Sequence, residues 1–190
     1  MFDRGFKTWC ENIALQQRRT LGLSSIDPLD PHRIASHLGI AVFKPENVPG
    51  LDAGSLRTLL RDDPDSWSAV TVTVDSRSAI VLNSAHTGGR PASDLMHELA
   101  HILADHTPAR LDITSDGLLI LNTFDRQQEE AAAWLAGTLL LPRVALESIY
   151  RQRLDPSVAS EQYGVSLSMF QYRVRMTGIE RQFIRGHGAR

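Results

Sequence analysis

The sequence predicts an α+β fold, with a small β-sheet beside apolar helices and a helical C-terminal extension. Residues 69–74 alternate between valine and either alanine or threonine, and a second apolar run follows at 79–82 after a short turn. This pattern is typical of a β-hairpin. Residues 94–106 are apolar nearly all round a helix, which is typical of a buried helix. A second strongly helical segment, rich in alanine and leucine, follows at 126–141.

Length and composition restrict the class of protein. A chain of 190 residues suits one domain, or one domain with a small appendage, and its 42% hydrophobic content supports a core. The net charge of −2 gives no reason to expect nucleic acid or an anionic membrane as a partner. Cys10, the sole cysteine, excludes an intramolecular disulfide and a cysteine-rich zinc module. Without a signal-peptide core or an apolar run of ~18 residues, the chain is expected to be soluble and cytoplasmic.

The N-terminal part is predicted to supply two helices and one strand. Apolar residues at helical spacing indicate an amphipathic helix at 3–20. An aspartate followed by a proline starts a short helix at 31–38, and a glycine ends it. Residues 40–43 are typical of a buried strand. Residues 44–68, rich in proline, glycine and aspartate, indicate a long loop that contains a short helix near 55–61.

The segments after the hairpin lead to and from the two apolar helices. Residues 83–90 are expected to be the loop that enters the first of them. Residues 109–124 are a linker, in which 118–121 is either a short strand or a buried turn. A proline after the second apolar helix opens a further helix at 142–154.

The first apolar helix carries the pattern H-E-x-x-H. Residues four apart lie on one helical face, so His97 and His101 can direct two imidazoles at one metal ion. Glu98, beside them, can act as general base towards a water molecule. The competing interpretation is a pair of hydrogen-bonded core histidines. We expect the metal site, because histidines inside a buried helix need polar partners.

Two histidines leave a catalytic zinc site one protein ligand short. The metzincin continuation would need glycine and histidine where this chain has Ala104 and Thr107. His106 lies roughly 140° around the helix from the second motif histidine, so an outer-shell role or none is expected for it. A glutamate from a separate helix is the other common solution. From the residues alone, Glu129 and Glu130 both remain candidates.

Other polar residues near the motif have less defined roles. Asp94 and Asp105 could orient an imidazole as outer-shell carboxylates, or they could simply be solvated. His86 is expected to be a loop histidine and not a ligand. Cys10 is expected to pack in the first helix, since no basic neighbour activates it.

The order of motifs resembles the ImmA/IrrE family of zinc metallopeptidases. A short helix and strand carry Ile-Ala-x-x-Leu-Gly-Ile at 34–40, and a hairpin and the H-E-L-A-H motif at 97–101 follow. The pattern E-x-x-A-x-x-hydrophobic-A-x-x-L-L-x-P then occupies residues 129–142 without a gap. The resemblance covers roughly residues 3–150 and is strongest at 78–143.

The resemblance implies a gluzincin-like zinc endopeptidase domain, which we place at residues 1–155. In its register His97, His101 and Glu129 hold Zn²⁺, Glu130 faces away, and Glu98 is the catalytic base. The chain departs from the family pattern at three places near the site, none of which removes a ligand: Ala133, Leu135 and Arg90–Asp94.

The resemblance also implies a protein substrate, commonly a helix-turn-helix repressor of a mobile element or stress response. The substrate could add as a strand along residues 69–74 or along their partner strand. A tyrosine, histidine or arginine is expected to stabilise the transition state. The sequence leaves four candidates open for this role: Tyr150, Tyr163, His86 and Arg90. No membrane partner is expected, and the oligomeric state is not predicted.

The C-terminal extension, residues 156–190, is expected to begin as a helix, a turn and a second helix that Gly178 closes. From Arg143 onward the chain has eight arginines and four acidic residues. One interpretation is a DNA-binding helix-turn-helix, and with it a regulator that has a structural or vestigial zinc site. Ala159 and Gly164 are five apart, however, where that motif usually has four. A helical pair covering the core, with its arginines in solvent, is therefore favoured.

Overall fold

The computed structural model describes residues 2–74, 77–106, 111–113, 119–121 and 125–187. Its helices are α1 (Phe6–Thr20), α2 (Pro31–His37), α3 (Ala53–Arg57), α4 (Arg90–Leu103), α5 (Arg126–Leu140), α6 (Arg143–Gln152), α7 (Pro156–Gln162), α8 (Leu167–Thr177) and α9 (Ile179–His187). Its strands are β1 (Ala41–Phe43), β2 (Ala69–Val74), β3 (Arg77–Leu82), β4 (Leu111–Ile113) and β5 (Leu119–Leu121). This mixture of a small sheet and many helices confirms the predicted α+β class.

Most predicted elements are present, with small shifts at their ends. The predicted loop at 44–68 contains a 3₁₀ turn at Pro45–Asn47, and α3 continues as a π-helical segment at Thr58–Asp62. Of the two alternatives for 118–121, the described residues 119–121 form a strand. The rest of the predicted 109–124 linker, apart from β4 and β5, lies outside the described residues, as do positions 75 and 76 of the hairpin turn.

The main sheet has the order β1-β3-β2, with β1 parallel and β2 antiparallel to β3. Because β3 is paired on both sides, only β2 and β1 have an outer edge in this sheet. The expectation that a substrate strand could add along the partner of residues 69–74 is therefore wrong, since that partner is β3. Thr71 lies opposite Ile80 in the register, and the fully buried Ile80 places both on the face that packs against α4.

The core lies where α4 packs beside α5, with α1 on the other side of α5. Leu95 and Leu99 from α4 meet Leu135 and Leu139 from α5 in one fully buried cluster. Burial of each such leucine contributes roughly 1.5–3 kcal/mol to the free energy of unfolding. Tight packing of α4 on α5 fixes the distance between the two helices that carry the predicted ligands.

Arg18 ties α1 to the C-terminal end of α5. Its guanidinium is fully buried and donates to the carbonyl oxygens of Leu139 at 2.9 Å and Leu140 at 3.4 Å, and to that of Asp27 at 2.9 Å. The last carbonyls of a helix have no hydrogen-bond donor within the helix. A buried cation at this position donates to them, and its charge is stabilised by the negative end of the helix dipole.

The C-terminal helices pack on the core through two glycines. An added β-carbon at Gly137 of α5 would lie 2.9 Å from Cδ of Arg173 on α8. One at Gly89, just before α4, would collide with the backbone of Val165 and Ser166. The chain does not stop at Gly178, which has a positive φ of 63° and leads directly into α9. The sequence did not predict α9.

Among the described helices, none is long and apolar enough by itself to cross a membrane. Helices α5 and α6 meet the criteria of length and composition only together, as a pair bent by 45°.

Candidate metal centre

Three side chains from α4 and α5 bring their ligand atoms to one point. His97 Nε2 lies 3.1 Å from Glu129 Oε2 and 3.1 Å from His101 Nε2, and His101 Nε2 lies 3.3 Å from Glu129 Oε1. Among the described residues, this is the group of histidine, cysteine and acidic side chains that could hold a metal ion. The structure thus brings together the three residues proposed as ligands, and their binding of a metal stays a prediction.

The donor set fits a divalent cation. Zinc–nitrogen bonds of about 2.0 Å at tetrahedral angles separate two ligand atoms by about 3.3 Å, close to the spacing of this triangle. Burial lowers the pKa of His101, although the neighbouring Glu129 carboxylate opposes this effect. His101 is therefore neutral at pH 7, the form in which an imidazole binds a metal. Two imidazoles and one carboxylate leave a divalent ion with one net positive charge.

The packing of α5 against α4 decides that Glu129, and not Glu130, reaches the histidines. Asp125 caps α5 by accepting hydrogen bonds from the backbone N–H groups of Gln127 and Gln128, which fixes where the helix begins. Glu129 then lies on the side of α4. Glu130, 100° further round, is exposed and pairs with Arg126 at 3.0 Å.

Glu98 lies beside the triangle and is held by β2. The hydroxyl of Thr71 donates to Glu98 Oε2 at 2.6 Å, so one carboxylate oxygen is oriented by the sheet. Thr71 was not among the site residues predicted from the sequence. The alternation of residues 69–74 places Thr71 and Val72 on opposite faces, but it does not say which face meets α4.

His106 contacts the far side of His101. Helix α4 ends at Leu103, and Asp105 adopts a positive φ of 52°, which turns the chain back. His106 Nδ1 then lies 3.1 Å from His101 Nδ1, and the backbone N–H of His106 donates to the carbonyl of His101. A helix break thus brings His106 to the site, but at the nitrogen that faces away from the triangle.

The tautomers follow from this contact. Burial lowers the pKa of His106, and the neighbouring His101 lowers it further, so both rings are neutral at pH 7. A His101 ring that binds a metal through Nε2 carries its hydrogen on Nδ1 and donates it to His106 Nδ1. Such outer-shell partners fix the orientation of a ligand imidazole. Of the two roles left open for His106, the geometry favours the outer-shell one.

Asp94 and His86 form a separate pair. Asp94 Oδ2 lies 2.7 Å from His86 Nδ1, and the amide nitrogen of Asn83 lies 3.4 Å from His86 Nε2. The Asp94 carboxylate accepts from His86 Nδ1, while the two hydrogens of the Asn83 amide are donated to the carbonyls of Pro64 and Trp67. The pair of His86 and Asp94 joins the loop before α4 to the helix. Neither Asp94 nor the exposed Asp105 has a described contact with a ligand imidazole.

An open cleft of about 550 Å³ begins at His97 and Glu98. None of the four candidate transition-state donors is among the residues that line it. The Tyr163 hydroxyl donates to the carbonyl of Ile26 at 2.6 Å, and Tyr150 packs on Phe183. Arg90 pairs with Asp65 at 2.7 Å. His86 is buried in the pair described above.

Tyr172 of α8 does line the cleft, together with Met169. Tyr172 was not among the site residues that the sequence predicted. Spacing of three places Met169 and Tyr172 on one helical face, but helical periodicity cannot show what that face meets.

The arginines of α8 do not support a DNA-recognition helix. Arg173 is fully buried, and it donates to the carbonyl of Leu141 at 3.0 Å and to Glu11 Oε1 at 3.1 Å. The expectation that the arginines of this helix lie in solvent is therefore wrong for Arg173 and right for Arg175, which is exposed. Arg173 needs internal carbonyl and carboxylate partners because an unpaired buried charge is costly.

Known proteins share this fold and this sequence pattern. The family model of the IrrE N-terminal-like domain (Peptidase_M78) matches residues 36–175. The structure of a Mycobacterium tuberculosis transcriptional regulator is similar with a TM-score of 0.53 and 13% sequence identity, and the match covers 88% of this chain and 46% of that chain. At that identity the likeness concerns the fold alone, and this chain spans less than half of the other. No curated protein matches the sequence. Since the family model covers well over half of the 190 residues, the resemblance to the ImmA/IrrE family is confirmed, and the chain belongs to the IrrE N-terminal-like family of metallopeptidase-like domains.

Proposed function

We propose that the protein is a zinc-dependent endopeptidase that cleaves a regulatory protein, a helix-turn-helix repressor of a mobile element or stress response, in the cytoplasm. The observation that carries the proposal is the position of Glu98. Glu98 lines the open cleft together with His97, and its carboxylate is close enough to His101 to raise the pKa of that ring. A purely structural metal site has no use for a general base in that position.

The side chains have complementary roles in this proposal. His97, His101 and Glu129 hold Zn²⁺, which supplies Lewis-acid polarisation of the scissile carbonyl and lowers the pKa of water toward ~7. Glu98 takes the proton of the attacking water and passes it to the leaving amine. Thr71 donates to one Glu98 oxygen at 2.6 Å, so that the other oxygen remains available for proton transfer.

Strand β2 is suited by its position to binding an extended peptide as substrate. It is the edge strand next to Glu98, and Thr71 on it already contacts the catalytic carboxylate. An extended peptide that adds to this edge gains backbone hydrogen bonds independently of its sequence. Those bonds would align a backbone carbonyl of the substrate along the cleft, towards His97.

A regulator that binds DNA or a partner protein, with a structural or vestigial metal site, is the second candidate. The similar Mycobacterium tuberculosis protein is called a transcriptional regulator, and this observation favours a regulatory role. The burial of Arg173 weighs against α8 as a DNA-recognition helix. Salt-dependent retardation of duplex DNA by the purified protein would favour this candidate.

The peptidase proposal is tested with a Glu98→Gln variant. Wild-type and variant proteins are loaded with zinc, the zinc content is measured, and both are incubated with candidate helix-turn-helix repressors. We expect both proteins to bind zinc and only the wild type to cleave the repressor. Equal cleavage by the two proteins would contradict the role of Glu98. Zinc binding without cleavage of any repressor or peptide by the wild type would favour the second candidate.

A further inference from the structure

We propose that α8 determines which substrates this site accepts: Met169 and Tyr172 form a wall that binds an apolar side chain next to the scissile bond. This inference rests on the proposed peptidase function. It assigns a substrate-binding role to the C-terminal extension, which the sequence analysis treated as a cover for the core.

The wall is continuous with the catalytic residues. One cleft of about 550 Å³ is lined by His97 and Glu98 as well as by Met169 and Tyr172, and Ala69 of β2 and Ala133 of α5 also line it. This volume is in the range of about 300–1,000 Å³ that is typical of ligand pockets. A peptide lying along β2, with its scissile carbonyl near His97, directs alternate side chains to opposite sides. One of these points toward α8.

The apolar surface of the cleft comes from its alanines and from α8, while Ser68 and Ser93 add polar groups to the lining. Met169 and Tyr172 offer apolar surface, and the small side chains Ala69 and Ala133 leave room for a branched or aromatic group. The charged groups along the cleft are the carboxylates of Asp94 and Glu98, which disfavour an acidic substrate side chain.

Helix α8 is held firmly against both helices that carry the site. Ser166, at its N-terminus, abuts Gly89 at the start of α4. Met169 Sδ and Arg173 Cδ lie 3.5 and 2.9 Å from the position of a β-carbon on Gly137 of α5. The buried Arg173 also donates to the carbonyl of Leu141, just after α5, at 3.0 Å. The wall therefore has a fixed position relative to the triangle, as a specificity pocket requires.

The test uses quenched fluorescent peptides. A randomised library first identifies the preferred residues on each side of the cleaved bond for the zinc-loaded wild type. Matched peptides then carry leucine, alanine or aspartate at the position with the strongest apolar preference. We expect the wild type to prefer leucine over alanine and to reject aspartate. Met169→Ala and Tyr172→Ala should each reduce the leucine-to-alanine ratio of kcat/KM by roughly 10-fold, and Tyr172→Phe should preserve it.

Met176→Ala is the matched control, since Met176 lies on the same helix but is 38% exposed and does not line the cleft. It should leave the ratio unchanged. Peptides of the same sequences that carry a fluorophore but no quencher are then bound to zinc-loaded Glu98→Gln protein, and binding is measured by fluorescence anisotropy. Adding Met169→Ala to this variant should reduce the preference for leucine over alanine without any turnover.

The outcomes separate this inference from the proposed function. If Met169→Ala and Tyr172→Ala cleave peptides with an unchanged leucine-to-alanine ratio of kcat/KM, the proposed role of these two residues is wrong and the peptidase proposal still holds. A wild-type preference for aspartate would also overturn the wall. Absence of cleavage of the whole library by zinc-loaded wild type would overturn the proposed function, and the wall with it.

Discussion

Replacing His106 by alanine should weaken zinc binding although His106 is not a proposed ligand. The substitution removes the ring that lies 3.1 Å from His101 Nδ1. Without that acceptor, the His101 ring loses the hydrogen bond that holds its tautomer and its orientation towards the triangle. The effect on the metal therefore passes through His101.

The size of the effect follows from the contact. Removing an outer-shell partner of a ligand histidine typically costs 10- to 100-fold in metal affinity, which is about 1.4–2.7 kcal/mol. His106 is only partly buried, so water can take over part of its role. We therefore expect a loss near the lower end, roughly 10- to 30-fold in the zinc dissociation constant.

The assay is competition with a chromophoric zinc chelator at pH 7.5. At this pH His101 and His106 are both neutral, because burial lowers the pKa of each below its ordinary value. Asp105→Asn is the control, since it removes a neighbouring charge but keeps a residue that tolerates the positive φ of 52°. A His106→Ala protein that stays folded and binds zinc as tightly as the wild type would refute the outer-shell role.

Three further predictions concern the scaffold. Arg18→Leu should lower the free energy of unfolding, measured in urea, by more than about 2 kcal/mol, because buried carbonyls at the end of α5, including that of Leu139, lose their hydrogen-bond donor. An unchanged unfolding midpoint would contradict this prediction. Gly89→Ala should cost about 1–3 kcal/mol and lower the melting temperature, because its β-carbon collides with the backbone at Val165. A melting temperature equal to that of the wild type would show that this contact is absent. Burial raises the pKa of the Cys10 thiol to about 12. A thiol reagent at pH 8 should therefore react slowly with the native protein and quickly with the protein in denaturant. Immediate reaction with the native protein would show that Cys10 is accessible.

Periodicity was sufficient to predict the elements that carry the site. Alternation at residues 69–74 and the apolar face of the H-E-x-x-H helix are local patterns, and each is formed where it was expected. Periodicity could not predict that Glu129 lies next to the histidines, because Glu129 and Glu130 differ only in helical phase. The family resemblance selected Glu129, and the packing of α5 on α4 places it there.

Contacts between residues far apart in the chain could not be predicted from the sequence. Thr71 reaches Glu98, 27 residues away, and Arg173 reaches Glu11, 162 residues away. A threonine in a strand and an arginine in a helix have the same local pattern whether they face solvent or a buried partner. Tertiary packing decides between these environments, so composition and spacing could not identify either contact.

Two backbone features also escaped the sequence analysis. The positive φ of Asp105 brings His106 back to His101, although helical geometry alone would place it elsewhere. Gly178 is typical of a helix end, and it does end α8, but the chain continues directly into α9. Both features are turns that depend on what the following residues contact.

The zinc content of Glu129→Ala and Glu130→Ala tests the central claim of a metal site built from two helices. After dialysis against zinc and then against metal-free buffer, the metal in each protein is measured by atomic absorption. We expect about one zinc per chain in the wild type and in Glu130→Ala, because Glu130 faces solvent and pairs with Arg126. Glu129→Ala should retain almost none. Full zinc content in Glu129→Ala, or its loss in Glu130→Ala alone, would contradict the site described by His97, His101 and Glu129.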